Sequence, residues 1–261
     1  MQLFVVGPPR SGLTIVTQFL NDHEDIKIFD EIDLIDVDRS GGPVVGTLAA
    51  FLLERGRYQT YRRLLQETAD PAQALRAIMS EIAQPCPVWG EKNPRYAMRL
   101  QSLRRCFPEA VVLFVLRDPR EVVNSYLLHR DSDQRTDLDF WIKDTVAEAF
   151  ALVEGSLDPL TAHDAELVLL RYEAFAARPR QTLDTALQRF GLRFSDTAVA
   201  LAHQAPETVG DNQFYRGGAP LPWKTGNLAP LRQAPSARAR IDAGDPIWFQ
   251  VDALAQRFGY N

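Results

Sequence analysis

Cysteine is scarce: Cys86 and Cys106 are the only two in 261 residues. They allow at most one disulfide and exclude both a disulfide framework and a cysteine-built metal centre, so two free core thiols are expected. A basic excess is also missing. Lys and Arg number 29 against 34 Asp and Glu, for a net charge of −5, which argues against a nucleic-acid partner. No apolar run is long enough to span a membrane, since Leu3-Phe4-Val5-Val6 is interrupted by Pro8-Pro9-Arg10. Nor does a basic start lead into an apolar stretch and a small-residue cleavage site, so no secretory leader is expected and a cytoplasmic location is. The four histidines, His23, His129, His163 and His203, lack metal-ligand spacing. There is no internal repeat, low-complexity tract or obvious linker, and a single domain over residues 1–261 is the economical expectation.

One further absence is informative because of what surrounds it. Gly7-Pro8-Pro9-Arg10-Ser11-Gly12-Leu13-Thr14 follows an apolar strand and has the spacing of a phosphate-binding loop, G-x-x-x-x-G-K-[ST]. Leu13 stands where the lysine should be. That lysine normally reaches the β- and γ-phosphates of a nucleoside triphosphate, which leucine cannot do. A cation remains inside the loop as Arg10. The loop can still wrap an anion in backbone N–H groups at a helix N-terminus, but without the usual handle for ATP or GTP.

With 46% hydrophobic and 24% charged residues, the composition is that of an ordinary globular protein with a sizeable core. Strands are predicted at 3–7, 27–29, 110–116 and 166–170. Helices are predicted at 14–21, over 47–84 with a new start at Asp70-Pro71, and at 95–107, 121–129 and 136–154. Alternating strands and helices predict an α/β fold: a central, mostly parallel sheet covered on both faces, three layers in all. Helical insertions are expected at about 44–84 and 131–154. The Gly- and Pro-rich stretch of about 205–233 reads as a lid or binding loop.

In such sheets ligands bind beyond the carboxyl ends of the strands. The first strand delivers Arg10-Ser11-Gly12 there, the second Glu31, the 110–116 strand Arg117, and the last Arg171-Tyr172. Trp89-Gly90-Glu91-Lys92-Asn93-Pro94 reads as a short turn presenting Lys92. Several cations and one carboxylate therefore converge, which suits transfer of an anionic group from a nucleotide to a nucleophile. The acids Asp30, Glu31, Asp33, Asp36 and Asp38 lack the EF-hand pattern and read as a solvated loop with one working carboxylate.

Here the residues carry a resemblance. The loop Gly7–Thr14 and the segment Phe114-Val115-Leu116-Arg117-Asp118-Pro119-Arg120-Glu121-Val122-Val123-Asn124-Ser125 resemble the two donor-binding signatures of the sulfotransferase family, whose members use 3′-phosphoadenosine-5′-phosphosulfate (PAPS). Family-like landmarks follow in order: Gly90-Glu91-Lys92-Asn93-Pro94, Leu170-Arg171-Tyr172-Glu173 with the helix at Pro179, and Phe214-Tyr215-Arg216-Gly217-Gly218 through Trp223-Lys224. The pattern is closest to the tyrosylprotein, Golgi-type and bacterial members. The resemblance implies a fold related to P-loop nucleotide kinases and no need for a metal. It implies that Pro9, Arg10, Ser11, Gly12, Leu13 and Thr14 cradle the 5′-phosphosulfate, and that Arg117 and Ser125, eight residues apart, grip the 3′-phosphate. Tyr172, Arg216, Trp223 and Lys224 are the remaining donor-side candidates.

Sulfuryl transfer is in-line attack on sulfur with charge building on the bridging oxygen, and the product is 3′-phosphoadenosine-5′-phosphate (PAP). Arg10 and Lys92 are the candidates to meet that charge. Glu31 lies at the same distance after the arginine loop as the proposed base of tyrosylprotein sulfotransferases. The cytosolic small-molecule branch instead uses a histidine after its equivalent of Lys92, where this chain has Asn93-Pro94. Arg216-Gly217-Gly218 stands where cytosolic members have Arg-Lys-Gly, one cation fewer. Tyr172 can pack on the sheet or contact adenosine, and Trp223 can close over the donor or anchor the core. The acceptor stays open among a peptide tyrosine, a glycan and a small hydroxylated metabolite, as does homodimer formation. A P-loop kinase-like phosphotransferase and a non-catalytic nucleotide-binding homologue are the alternatives; Leu13 and the lack of a clear Walker-B acid speak against the first.

Overall fold

The computed structural model describes residues 1–36, 46–130, 145–161, 166–194, 215–216, 219–220 and 246–261. Five parallel strands form the central sheet: β1 (Leu3–Val6), β2 (Ile26–Asp30), β3 (Val88–Lys92), β4 (Val111–Leu116) and β5 (Leu167–Arg171), in the order β2-β3-β1-β4-β5. β1 sits at the centre. The chain leaves it for β2 on one side, returns to β3, and then crosses to β4 on the other side. The carboxyl ends of β1, β3 and β4 therefore open one crevice, the usual ligand position of such sheets.

Strand alternation splits the core in two. Leu3, Val5, Leu113, Val115, Val168 and Leu170 face one side, where α1 (Leu13–Asn21), α8 (Tyr172–Ala177) and α9 (Pro179–Leu187) cover them with Val16, Phe19, Phe175 and Leu183. Phe4, Val6, Phe29, Val112 and Phe114 face the other. Six helices pack there: α2 (Gly46–Glu54), α3 (Tyr58–Thr68), α4 (Pro71–Ile82), α5 (Leu100–Cys106), α6 (Pro119–Arg130) and α7 (Val146–Thr161), together with the C-terminal helix Pro246–Arg257. The result is the predicted three-layer α/β/α sandwich. Tyr215–Arg216 and Ala219–Pro220 form a separate antiparallel pair.

Local chemistry fixes several boundaries. Asp70 caps α4 by accepting the Ala72 N–H at 2.9 Å, with Pro71 in the first turn. The helical region 47–84 has a second break that its periodicity conceals, at Gly56 with φ +64°. Over 95–107 the expected single helix is a 3₁₀ segment, Pro94–Arg99, followed by α5. The Asn93 side chain accepts the Arg95 N–H at 3.1 Å and tightens that first turn. β5 is half-buried: it lies at the sheet edge and leaves Leu169 exposed.

The largest departure from expectation is at 88–92, which is a fully buried strand and not a turn. It pairs with β2 along its whole length and with β1 at Val5 and Lys92. Gly90 makes that possible, because a Cβ there would overlap the backbone carbonyl of Leu3. The charged ending Glu91-Lys92 conceals a strand whose two polar side chains are both satisfied internally.

Candidate active site

The loop after β1 is built from conformations that ordinary side chains avoid. Gly7 has φ +148°, Arg10 +71° and Gly12 +94°. Ser11 N–H closes the turn on the Pro8 carbonyl at 3.1 Å. Gly12 is the N-cap of α1 and supplies no side-chain cap, so the helix presents its first N–H groups outward. Leu13 is buried among the residues between sheet and α1, which accounts for leucine at the lysine position: the side chain serves the core. Pro9 and Thr14 are partly buried on the loop. Ser11 Oγ is fully buried and has no hydrogen-bond partner within the described residues. A buried, orphaned hydroxyl beside the uncapped N-terminus of α1 fits an anion.

The second signature closes on the first. Arg10 Nε donates to Ser125 Oγ at 3.1 Å across 115 residues of sequence. Arg117 Nη1 donates to the Arg10 carbonyl at 3.2 Å, bracing its left-handed backbone. The Arg117 guanidinium also lies over the Tyr172 ring at 4.9 Å and meets Glu121 at 3.4 Å. The other edge of Tyr172 abuts Gly12, where a Cβ would overlap the ring. Burial raises the Tyr172 hydroxyl above its ordinary value despite Arg117. Arg10, Ser125, Arg117, Tyr172 and Gly12 are thus one cluster, drawn from β1, β4, α6 and the end of β5.

The other half of the site is at the ends of β2 and β3. Lys92 is buried, and its ammonium is shared by Asp30 and by Glu31 Oε1, the latter at 2.5 Å. Burial alone would lower its pKa, but the two carboxylates outweigh that and hold it above the ordinary lysine value. The lysine is therefore not presented to the cleft as a turn would present it; it is committed to the carboxylate expected to act as base. The Glu31 backbone, at φ +54°, donates its N–H to the Lys92 carbonyl at 2.9 Å.

The acids around Glu31 are not a solvated loop. Asp33 Oδ1 accepts Asn93 Nδ2 at 2.9 Å and Arg95 at 2.6 Å, and Asp36 pairs with Arg95 and Arg99. Asp38 lies outside the described residues.

Four residues to which sequence reasoning gave no role stand in or around this arrangement. Glu91 is completely buried between the strand and the 31–36 loop. Burial lifts its pKa to about 7, against hydrogen bonds from Tyr96, Leu34 N–H and Asn93. Its one visible signal in sequence is a glutamate directly after a strand glycine. Tyr126 is buried beside Ser125. Burial raises its hydroxyl well above the ordinary range, with the Arg10 charge opposing and Glu31 adding. Arg120 anchors the 117–120 corner through Asp118 and, at 2.9 Å, Asp252 of the C-terminal helix. Tyr260 donates to Glu173 at 2.9 Å on the same corner.

On the donor side, Arg216 lies in the short antiparallel pair, and Trp223 and Lys224 lie outside the described residues, as does most of 205–233. No helix among the described residues is long and apolar enough to cross a membrane.

Comparison with known proteins gives the chain a family. A model described as the sulfotransferase family matches residues 2–196. Over 206 residues the chain is 23% identical to protein-tyrosine sulfotransferase 2 of Gallus gallus, covering 76% of this chain and 53% of that one. The chain spans about half the length of the curated relatives it matches. The sulfotransferase domain of the Synechococcus PCC 7002 olefin synthase superimposes with a TM-score of 0.70 at 18% identity, covering 100% of this chain and 95% of that one. A mouse sulfotransferase complexed with PAP superimposes at 0.56 and 12% identity, covering 99% and 84%.

Proposed function

The chain belongs to the sulfotransferase family, and on that footing we propose that it moves a sulfuryl group from PAPS to an acceptor hydroxyl or amine, with Glu31 as general base. The observation that carries this reading is the joining of the two signatures through Arg10, Ser125 and Arg117. A nucleotide with anions at both its 5′ and 3′ positions needs two anion subsites a fixed distance apart, and contacts that join the two signatures are what such a pair of subsites would require. The likeness to a mouse enzyme complexed with PAP supports the same donor.

When bound, PAPS supplies an activated sulfur with PAP as leaving group. Pro9 to Thr14 would hold its 5′ end with backbone N–H groups and the Ser11 hydroxyl. Arg117 and Ser125 would hold the 3′-phosphate, with Tyr172 as the flat surface nearby. Arg10 would be the cation meeting charge on the transferring group; removing such a donor typically costs about 100- to 1,000-fold in rate. Glu31 accepts the acceptor's proton at its carboxylate. As that proton arrives, the Glu31–Lys92 pair weakens and more of the Lys92 charge becomes available to developing negative charge at the same edge. Lys92 thus orients the base first and stabilises charge second.

The direct test is incubation with radiolabelled PAPS and a panel containing a tyrosine peptide, a glycan and a hydroxylated metabolite. Label should pass to one acceptor class with wild-type protein and fall by at least about 100-fold with Glu31→Gln. Full transfer by Glu31→Gln would remove Glu31 from the base role.

A further inference from the structure

Glu91 carries a cost without an evident return. It is completely buried, and no cation pairs with it among its hydrogen-bond partners. An apolar side chain would fill the same space without desolvating a carboxylate. What the carboxylate adds is geometry. Its Oε1 accepts Asp33 N–H at 2.8 Å and Asn93 Nδ2 at 3.0 Å. Its Oε2 accepts Leu34 N–H at 3.0 Å and the Tyr96 hydroxyl at 2.6 Å. All four partners are placed to donate, two to each oxygen; the three N–H groups can only donate, whereas the Tyr96 hydroxyl can also accept. A carboxyl group therefore meets all four either ionised or with a proton shared with Tyr96, and an amide cannot, because its NH₂ faces at least one N–H.

Two of those donors belong to the backbone of the turn that follows Glu31. The chain leaves β2 at Asp30 and takes left-handed conformations at Glu31, φ +54°, and Asp33, φ +64°. Neither is glycine, so the turn opposes its own backbone preference and needs outside restraint. Glu91 provides that restraint by fixing the N–H groups of Asp33 and Leu34 from below. Tyr96, held by Glu91, adds a third anchor by accepting Ile35 N–H at 3.2 Å. The far end of the turn is thus tied to β3 and the segment after it, and the near end to the Lys92 carbonyl through Glu31 N–H.

We propose that Glu91 is a positioning residue: its carboxylate holds the 31–36 turn in its left-handed form and so delivers the Glu31 carboxylate to Lys92 at the edge of the donor site. The proposal rests on the reading of Glu31 as base, but it can fail separately. The Asn93 and Arg95 contacts to Asp33 belong to the same scaffold and act on the turn through its side chain, whereas Glu91 acts on its backbone.

Glu91→Gln tests this without an acceptor. An amide oxygen can serve only one side of the carboxylate's place, and the NH₂ then confronts Asp33 N–H and Asn93 Nδ2, or Leu34 N–H and Tyr96. Amide hydrogen exchange and the carboxyl carbon resonance of Glu31 are the readouts, with calorimetric PAP affinity as the control for the donor site. The expected result is at least about tenfold faster exchange at Asp33 or Leu34 and a displaced Glu31 resonance, with PAP affinity within about twofold of wild type. Unchanged exchange at both amides and an unchanged Glu31 resonance would overturn the proposal. If Glu91→Gln does not fold, Tyr96→Phe removes one of the four donors and the Ile35 anchor; faster exchange at Ile35 and Leu34 supports the proposal, and wild-type exchange there overturns it. Failure of the base reading is separate: Glu31→Gln would keep its transfer activity while the exchange results for Glu91→Gln stood.

Discussion

Replacing Arg117 by alanine should remove this protein's preference for a nucleotide phosphorylated at the 3′ position. The side chain makes three contacts in the structure: to the Arg10 carbonyl, to Glu121 and over the Tyr172 ring. The last two are a partly buried ion pair and a cation–π contact, each worth on the order of 1 kcal/mol or less. A charge-assisted bond from the guanidinium to a phosphate is worth more, about 1.5–3 kcal/mol, or roughly 10- to 150-fold in affinity. Losing the brace on Arg10 also loosens the 5′ subsite, so some loss should reach nucleotides without a 3′-phosphate. The assay is a thermodynamic cycle by calorimetry: wild type and Arg117→Ala, each titrated with PAP and with AMP. Wild type should favour PAP strongly, and the variant should lose roughly 10- to 150-fold of that ratio, with a smaller loss for AMP. An unchanged PAP-to-AMP ratio would falsify the assignment of Arg117 to the 3′-phosphate.

Lys92→Met should destabilise the fold by about 3–5 kcal/mol in urea denaturation, because it leaves Asp30 and Glu31 facing each other without their cation; a loss below about 1 kcal/mol would mean the pair is not formed. Gly90→Ala should cost several kcal/mol or abolish soluble expression, since its methyl group meets the Leu3 backbone rather than a movable side chain; near-wild-type stability would contradict the strand assignment at 88–92. Glu91 also has a signature in pH. Its folded pKa is raised from 4.5 to about 7, so the folded state binds that proton more tightly than the unfolded chain does. Its contribution is fully present below the ordinary value and is lost as pH rises through about 7. Stability of wild type relative to Glu91→Gln should therefore fall by on the order of 3 kcal/mol between about pH 4 and pH 8; a difference independent of pH would contradict the raised value.

The half of this site proposed to hold the donor was legible in the sequence as a pattern because its elements are local. A glycine-spaced loop after Leu3–Val6, and an arginine ending the apolar run 110–116 with Ser125 eight residues on, need only strand-to-helix geometry to be recognised. The contact between Arg10 and Ser125, which joins the two segments, was not foreseen and comes from the structure. The base half was only partly legible. Glu31 and Lys92 stood out as residue types, but their mutual ion pair depends on β2 and β3 being neighbours in register, Asp30 beside Lys92. A strand containing glycine and two charges carries no period-2 signal, so 88–92 read as a turn. The burial of Lys92 and the fourfold satisfaction of Glu91 followed from that strand and were hidden with it. The acids at 30–36 looked solvated for the same reason: Arg95, Arg99 and Asn93, which satisfy them, arrive from some 60 residues away in sequence. Tyr126 gives no sign of the Arg10 and Glu31 charges that act on it, since a tyrosine in a helix reads as core.

A metal-free calorimetric titration with PAP, set against one with Mg²⁺-ATP, decides whether the loop arginine and the Arg117–Ser125 pair serve a sulfuryl donor. Binding of PAP at least about 100-fold tighter than Mg²⁺-ATP is expected, because two anion subsites are engaged and no lysine awaits a γ-phosphate. Tighter binding of Mg²⁺-ATP would contradict the PAPS assignment and make the loop that of a kinase.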